Sequence, residues 1–178
     1  FTAVGKDPTS GGTPTLDLSV GDSGFGTDLQ DNDTYAWVYN VTDRNLTMAG
    51  IDVRISDARD AAGNVILAHD VQPLFSIDME SPTVTAASVT VPVIYEGSLQ
   101  QGVTVNFNES MRTDGSANPA VSFNVGALWA SNGDGVWSGG GMIWTESFTL
   151  TDTDETFTGV MVDVTGAVDA AGNQMAPF

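Results

Sequence analysis

Part of this chain is written twice, and that constrains its fold more than any other feature. Residues 35–64 (YAWVYNVTDRNLTMAGIDVRISDARDAAGN) and 144–173 (WTESFTLTDTDETFTGVMVDVTGAVDAAGN) align without a gap at an offset of 109. Eleven of the thirty positions are identical, among them Thr42/Thr151, Asp43/Asp152, Thr47/Thr156, Gly50/Gly159 and Val53/Val162, and both stretches close on Asp-Ala-Ala-Gly-Asn. Self-similarity at a fixed spacing marks a structural unit used more than once. A fold proposed for one copy must therefore also suit the other.

Within each copy the apolar residues recur with period two, the spacing of a strand with one covered face. Trp37, Tyr39 and Val41 alternate with polar partners, as do Ile51, Val53 and Ile55, and the second copy repeats this with Val160, Val162 and Val164. Thr and Val suit pleated strands, and Gly, Asp, Asn and Ser suit the turns between them. Upstream of the second copy, Val89, Val91 and Val93 alternate, then Val103, Val105 and Phe107, and Val121–Val125 reads as a further strand. Ser131-Asn132-Gly133-Asp134-Gly135 is a turn before Val136-Trp137. About seven strands over residues 83–178 is the density of a β-sandwich. The expected fold class is all-β, with tandem immunoglobulin-like Greek-key sandwiches.

The expected boundary is Asp78-Met79-Glu80-Ser81-Pro82, where proline ends the preceding strand and stiffens the joint. This predicts one repeat over residues 1–80 and a near-complete one over 81–178. Phe1-Thr2-Ala3-Val4 resembles Phe123-Asn124-Val125, which predicts that the first copy lacks the two opening strands that residues 83–107 supply to the second. Uncovered sheet edges of that kind invite strand exchange between chains.

Phe107-Asn108-Glu109-Ser110-Met111, the later Thr151-Asp152, and the closing Val168-Asp169-Ala170-Ala171-Gly172-Asn173 together resemble the bacterial immunoglobulin-like (BIg-type) tandem repeats of large secreted surface adhesins. Residues 1–34 depart from that pattern with a longer Gly-rich stretch. The resemblance implies Greek-key sandwiches, a stalk or extender role at the bacterial cell surface or outside the cell, and calcium at the joints. The partners it implies are neighbouring repeats of the same chain and a cell-surface or glycan ligand.

Charge narrows the partners. Twenty-three acidic residues stand against five basic ones, a net charge of −18. Nucleic acid and anionic membranes both need clustered Lys and Arg, so neither is expected as a partner. No stretch has the 18 or so consecutive apolar residues of a membrane span, so no membrane insertion is expected. Such an acidic excess calls for salt, divalent cations or tolerated self-repulsion. Calcium takes six to eight oxygens from carboxylates, amides and carbonyls. In an immunoglobulin-like topology the loops carrying Glu109 and Asp169–Asn173 lie at the end that the Asp78–Glu80 linker enters. The expectation is an interdomain Ca2+ site using Asp78, Glu80, Glu109, Asp169 and Asn173. Asp43, Asp60 and Asn64 are weaker candidates. The simpler alternative is that Asp-Ala-Ala-Gly-Asn is only a turn, its aspartate bonding backbone amides.

Catalysis is not expected. Cysteine is absent, the one histidine (His69, beside Asp70) has no placed nucleophile, and no Gly-rich loop opens a helix to cradle phosphate. Asp152-Thr153-Asp154-Glu155 reads as a solvated loop, and the Asp28, Asp31, Asp33 spacing lacks the Gly and distal Glu of a calcium loop. Trp129, Trp137 and Trp144 leave a competing role: exposed, coplanar tryptophans would make a carbohydrate-binding accessory module of a secreted enzyme.

Overall fold

The computed structural model describes residues 2–3, 15–18, 24–28, 35–39, 43, 45–56, 62–65, 67–126 and 128–178. These build antiparallel sheets and one short 3-10 turn, Gly139–Gly141, and none of the described helices can cross a membrane. The chain divides into two compact units, Phe1–Met79 and Glu80–Phe178.

In the second unit one sheet joins β7 (Val84–Val89), β8 (Gln100–Phe107) and β12 (Ile143–Leu150), with β10 (Trp129–Ser131) and β11 (Val136–Ser138) both on the far side of β12. The other pairs β9 (Ala120–Phe123) with β13 (Val162–Thr165). The C-terminal segment joins β13 on its opposite side, through Val164 N–H to Phe178 O, Phe178 N–H to Val164 O and Met175 N–H to Ala167 O, each 3.0 Å. The two sheets share one core. Val103, Val105 and Phe107 of β8 and Trp144 and Phe148 of β12 meet Phe123 of β9, Val164 of β13 and Met175. The strict alternation of β8 in the sequence is the alternation of its buried side chains.

Val89, Val91 and Val93 do not form the covered stripe that their spacing predicts. Strand β7 stops at Val89, and Val89 and Val93 are exposed. Pro92 has no N–H to give a ladder, so regular pairing does not continue through this stretch. The main chain of Val91 is instead bonded by the buried side chain of Gln101, which accepts from Val91 N–H at 2.9 Å and donates to Val91 O at 2.6 Å.

Between β10 and β11, residues 132–135 loop out opposite Glu146 and Ser147. Side chains replace the missing ladder bonds there. The Asp134 carboxylate accepts Ser147 N–H at 2.8 Å and the Ser147 hydroxyl, and Asn132 Nδ2 donates to Ser147 Oγ at 2.7 Å. Gly135 is needed at its position, because a Cβ would lie 2.0 Å from the Trp144 ring.

The first unit contains β1 (Thr2–Ala3), β2 (Thr15–Leu18), β3 (Gly24–Asp28), β4 (Tyr35–Tyr39), β5 (Thr47–Ser56) and β6 (His69–Asp78), in two sheets ordered β1-β4-β3 and β2-β5-β6. Ile51, Val53 and Ile55 are buried on β5. Strand β6 runs unbroken from His69 to Asp78. It continues through Pro73 because its register against β5 shifts between Val53/Val71 and Ile51/Phe75, leaving the proline in an irregular stretch.

The offset of 109 also carries over the pairing. Ser56 opposes Thr15 and Val53 opposes Leu18, while their counterparts Thr165 and Val162 oppose Ala120 and Phe123. Strand β2 therefore holds the place of β9. Thr2 and Ala3 face Ala36 and Tyr35, as Thr104 and Val105 of β8 face Thr145 and Trp144. The opening residues thus correspond to the end of β8 and not, as their likeness to Phe123–Val125 predicts, to β9. A two-residue strand carries too little sequence to fix its partner.

Two predictions test this packing. Phe148→Ala, emptying a buried ring that meets Phe123 edge-on at 5.2 Å, is expected to cost about 3–5 kcal/mol in urea unfolding, against less than about 1 for the exposed Phe157→Ala. The Ser147 hydroxyl and amide hold the Asp134 carboxyl below its usual range. The stability this contributes is present at neutral pH and is lost as pH falls below about 4, through the lowered folded value. In an NMR titration Ser147→Ala should raise the Asp134 midpoint.

Candidate metal centre

The second unit brings three stretches of chain together at one end. Thr83 N–H donates to Asn108 Oδ1 at 2.7 Å, and Asn108 N–H donates to Thr83 O at 3.0 Å. With Pro82 fully buried, this double bond pins the start of the unit to the loop that follows β8. That loop is tied in turn to the Asp-Ala-Ala-Gly-Asn segment: Arg112 N–H donates to Val168 O at 2.9 Å, Ala170 N–H to Ser110 O at 3.0 Å, and Met111 and Asp169 form an isolated antiparallel bridge. Glu109 and Asp169 therefore sit on neighbouring loops, with Glu80 three residues upstream of the pinned Thr83.

Asp169 is the most distinctive of these residues, being 0% exposed. Its Oδ1 accepts the N–H groups of Gly172 at 2.6 Å and Asn173 at 2.8 Å, and its Oδ2 accepts Asn173 Nδ2 at 2.8 Å. The backbone closes the same ring through Asp169 N–H to Asn173 O at 3.0 Å. Gly172, at φ +112°, holds a conformation that side chains disfavour, which explains the glycine. The alternative reading of this motif as a turn with an aspartate bonding amides is thus correct as far as it goes. Of the carboxylate's roughly four lone-pair positions, these three donors leave one, on Oδ2. Glu109 is half-buried, and its Oε1 accepts from Asn108 Nδ2 at 3.2 Å.

The remaining sequence candidates lie on other segments of the chain. Asp78 ends β6 in the first unit, where its Oδ1 accepts the Thr47 hydroxyl at 2.7 Å. Glu80 is exposed. Asp43 is exposed and caps its own turn, accepting Asn45 N–H at 2.9 Å with Asn45 at φ +50°. Asp152 makes the same turn with Asp154, at 3.0 Å and φ +56°. The offset of 109 therefore preserves this local geometry while the charge at the second position changes. Asn64 is exposed, and Asp60, Asp31 and Asp33 lie outside the described residues. Sequence reasoning found Glu109 and Asp169 but missed Asn108 and Thr83, whose mutual bonds span 25 residues and leave no local pattern.

Charge favours a cation in the second unit, where eleven acidic residues face a single basic one, Arg112. The acidic groups near the pinned end are oxygen donors with no histidine or cysteine among them, a set suited to a hard cation such as calcium and not to zinc.

Trp129, Trp137 and Trp144 are not a coplanar exposed set. Trp144 is buried, Trp137 packs on it at 5.1 Å and 63° and on Phe107 at 5.6 Å and 47°, and Trp129 lies on Phe123 at 4.6 Å. These rings are tilted and used by the core. No family model, curated protein or solved structure matches the chain.

The loop's dependence on one carboxylate is measurable. Asp169→Ala removes the acceptor for three N–H groups and is expected to cost about 3 kcal/mol or more in urea unfolding with chelator present, against less than about 1 for Asp152→Ala in its exposed turn.

Proposed function

We propose that the chain is a structural or adhesive extender module of a bacterial cell-surface or secreted protein, made of two immunoglobulin-like Greek-key sandwiches in tandem and stiffened by calcium where they join. The strand order supports the sandwich. In the second unit, with β10 and β11 counted as one interrupted strand and the C-terminal segment as the seventh, the first, second, fifth and fourth strands share one sheet, and the third, sixth and seventh lie together in the other. That order is the same as the ABED/CFG order of immunoglobulin domains, which supports the reading. The first unit repeats the third–sixth–seventh pairing through β2, β5 and β6, which supports reading the two units as copies. Partners of such a module are neighbouring copies of the same unit and a surface ligand.

The observation that carries the calcium reading is the buried Asp169 loop, bonded to the loop of Glu109 beside the entering chain. Asp78, Glu109 and Asp169 are proposed as carboxylate ligands of one ion. Glu80 and the carbonyl or side-chain oxygens of Asn173 are proposed to complete the shell. Asp78 is five residues ahead of Thr83, within reach of an extended segment of roughly 17 Å. Binding there offsets the repulsion among carboxylates that otherwise favours a flexible joint.

Calcium sites in extracellular modules have dissociation constants of about 0.1–1 mM. At 10 mM calcium such a site adds roughly 1.4–2.7 kcal/mol, a rise in melting temperature of roughly 3–10 °C over the chelated protein. Glu109→Gln should abolish most of that rise while leaving the melting temperature in chelator unchanged or higher. Equal melting curves with calcium and chelator would exclude the site.

A further inference from the structure

The loop between β10 and β11 carries a chemistry that neither the fold nor the proposed role uses. Asn132-Gly133 is the one Asn-Gly pair in the sequence. A glycine that follows an asparagine leaves its backbone nitrogen unshielded toward the carbon of the neighbouring side-chain amide. Both residues are exposed, and a Cβ built on Gly133 would meet nothing within 4 Å. Sterically, the reacting bond is open.

Named hydrogen bonds hold the reaction back. The Asn132 amide is gripped at both ends from β12: its Oδ1 accepts the Thr149 hydroxyl at 2.8 Å, and its Nδ2 donates to Ser147 Oγ at 2.7 Å. The nucleophile is occupied as well. Gly133 N–H donates to Ser131 Oγ at 3.0 Å, and the Ser131 hydroxyl donates to the Glu146 carboxylate. Closing a ring moves the amide carbon onto the Gly133 nitrogen, so the Thr149 and Ser147 bonds must give. It also needs the Gly133 proton to leave, so the Ser131 bond must break.

We propose that Asn132 is a site of self-modification, latched in the folded loop by Ser131, Ser147 and Thr149 and released when that loop loosens. Hydroxide removes the Gly133 amide proton, and the nitrogen forms a bond to Asn132 Cγ. The Cγ–Nδ2 bond breaks as Nδ2 takes a proton from water and leaves as ammonia. A cyclic imide then joins residues 132 and 133. Water opens it at either carbonyl, giving aspartate or isoaspartate, and no oxidant or reductant takes part. Asp134-Gly135 in the same loop is not an equal candidate. Ser147 holds the Asp134 carboxyl below its usual range, and the resulting carboxylate offers no comparable leaving group. The product alters the edge of the sheet in one direction only. The Ser147 hydroxyl gives its one hydrogen to Asp134, so a carboxylate at 132 would face its oxygen with no proton between them. That loses one of the bonds standing in for the ladder and adds a charge beside Asp134 and Glu146.

The test is peptide mapping by mass spectrometry of the 178-residue protein, aged at mildly alkaline pH in native buffer and in urea. The readouts at residue 132 are the mass gain of amide-to-acid conversion and the appearance of isoaspartate. Conversion is expected to be faster in urea than in native buffer. In native buffer Thr149→Val and Ser131→Ala should each convert about two- to tenfold faster than the unaltered chain, the factor for one lost hydrogen bond. In urea, where no latch exists, the three chains should convert alike. Val105→Ala, which weakens the core and leaves the loop alone, should keep the unaltered rate in native buffer. Asn132→Asp, standing in for the product, should melt below the unaltered chain. No conversion at Asn132 in urea overturns the proposal, as does equal conversion in urea and native buffer. Loop variants no faster than the unaltered chain overturn the latch. So does Val105→Ala matching them, which would make global unfolding the route. An Asn132→Asp chain that melts no lower overturns the loosening of the edge.

Discussion

A carboxylate taken out of water without donors costs several kcal/mol, so a fully buried aspartate must be met by groups held in place for it. Asp169 is met by its own loop, through the amides of Gly172 and Asn173 and the Asn173 side chain. The loop that makes those donors available is itself held by backbone bonds to Ser110 and Arg112. The stretch after β8 is held against the entering chain by Asn108 and Thr83. One satisfied charge thus organises the end of the unit, and it explains why Asp-Ala-Ala-Gly-Asn is specified residue by residue. The ring needs an aspartate to accept, a glycine to turn and an asparagine to donate.

Strand edges are the second constraint. Antiparallel sheets that do not close leave main-chain groups to be satisfied or hidden. The second unit handles one interruption with Asp134 and Asn132, which substitute for a neighbouring backbone, and another with Gln101, whose amide side chain pairs with Val91 as a strand would. Along β13 and the residues before it, side-chain exposure increases from Val164 to Val160. Identical patterning in the two copies therefore has different outcomes. Ile51, on a strand paired alongside β6, is buried, whereas its counterpart Val160 is exposed.

Much of this was legible in the sequence. The repeat, the alternation of β8 and the turn at residues 131–135 were readable because each is a local pattern with a period. The stripe Val89, Val91, Val93 was misleading because Pro92 ends regular pairing, a local fact that outweighs alternation. The place of Thr2–Ala3 was misjudged because pairing partners are chosen by the whole sheet and two residues do not encode them. At the candidate site, Glu109 and Asp169 were identifiable as oxygen donors on neighbouring loops. The burial of Asp169 and the Thr83–Asn108 clasp were not, since both come from contacts between distant segments.

Hard oxygen donors at one end of the second unit, a strongly acidic composition and aromatic rings committed to packing are the features on which the proposed extender role rests. The proposed role of calcium is to make a flexible joint stiff, and stiffness is read most directly by small-angle X-ray scattering from the whole chain at physiological salt. With millimolar calcium the distribution of intramolecular distances should narrow to that of a single extended particle, and with chelator it should broaden. Superimposable profiles in the two conditions would contradict the account.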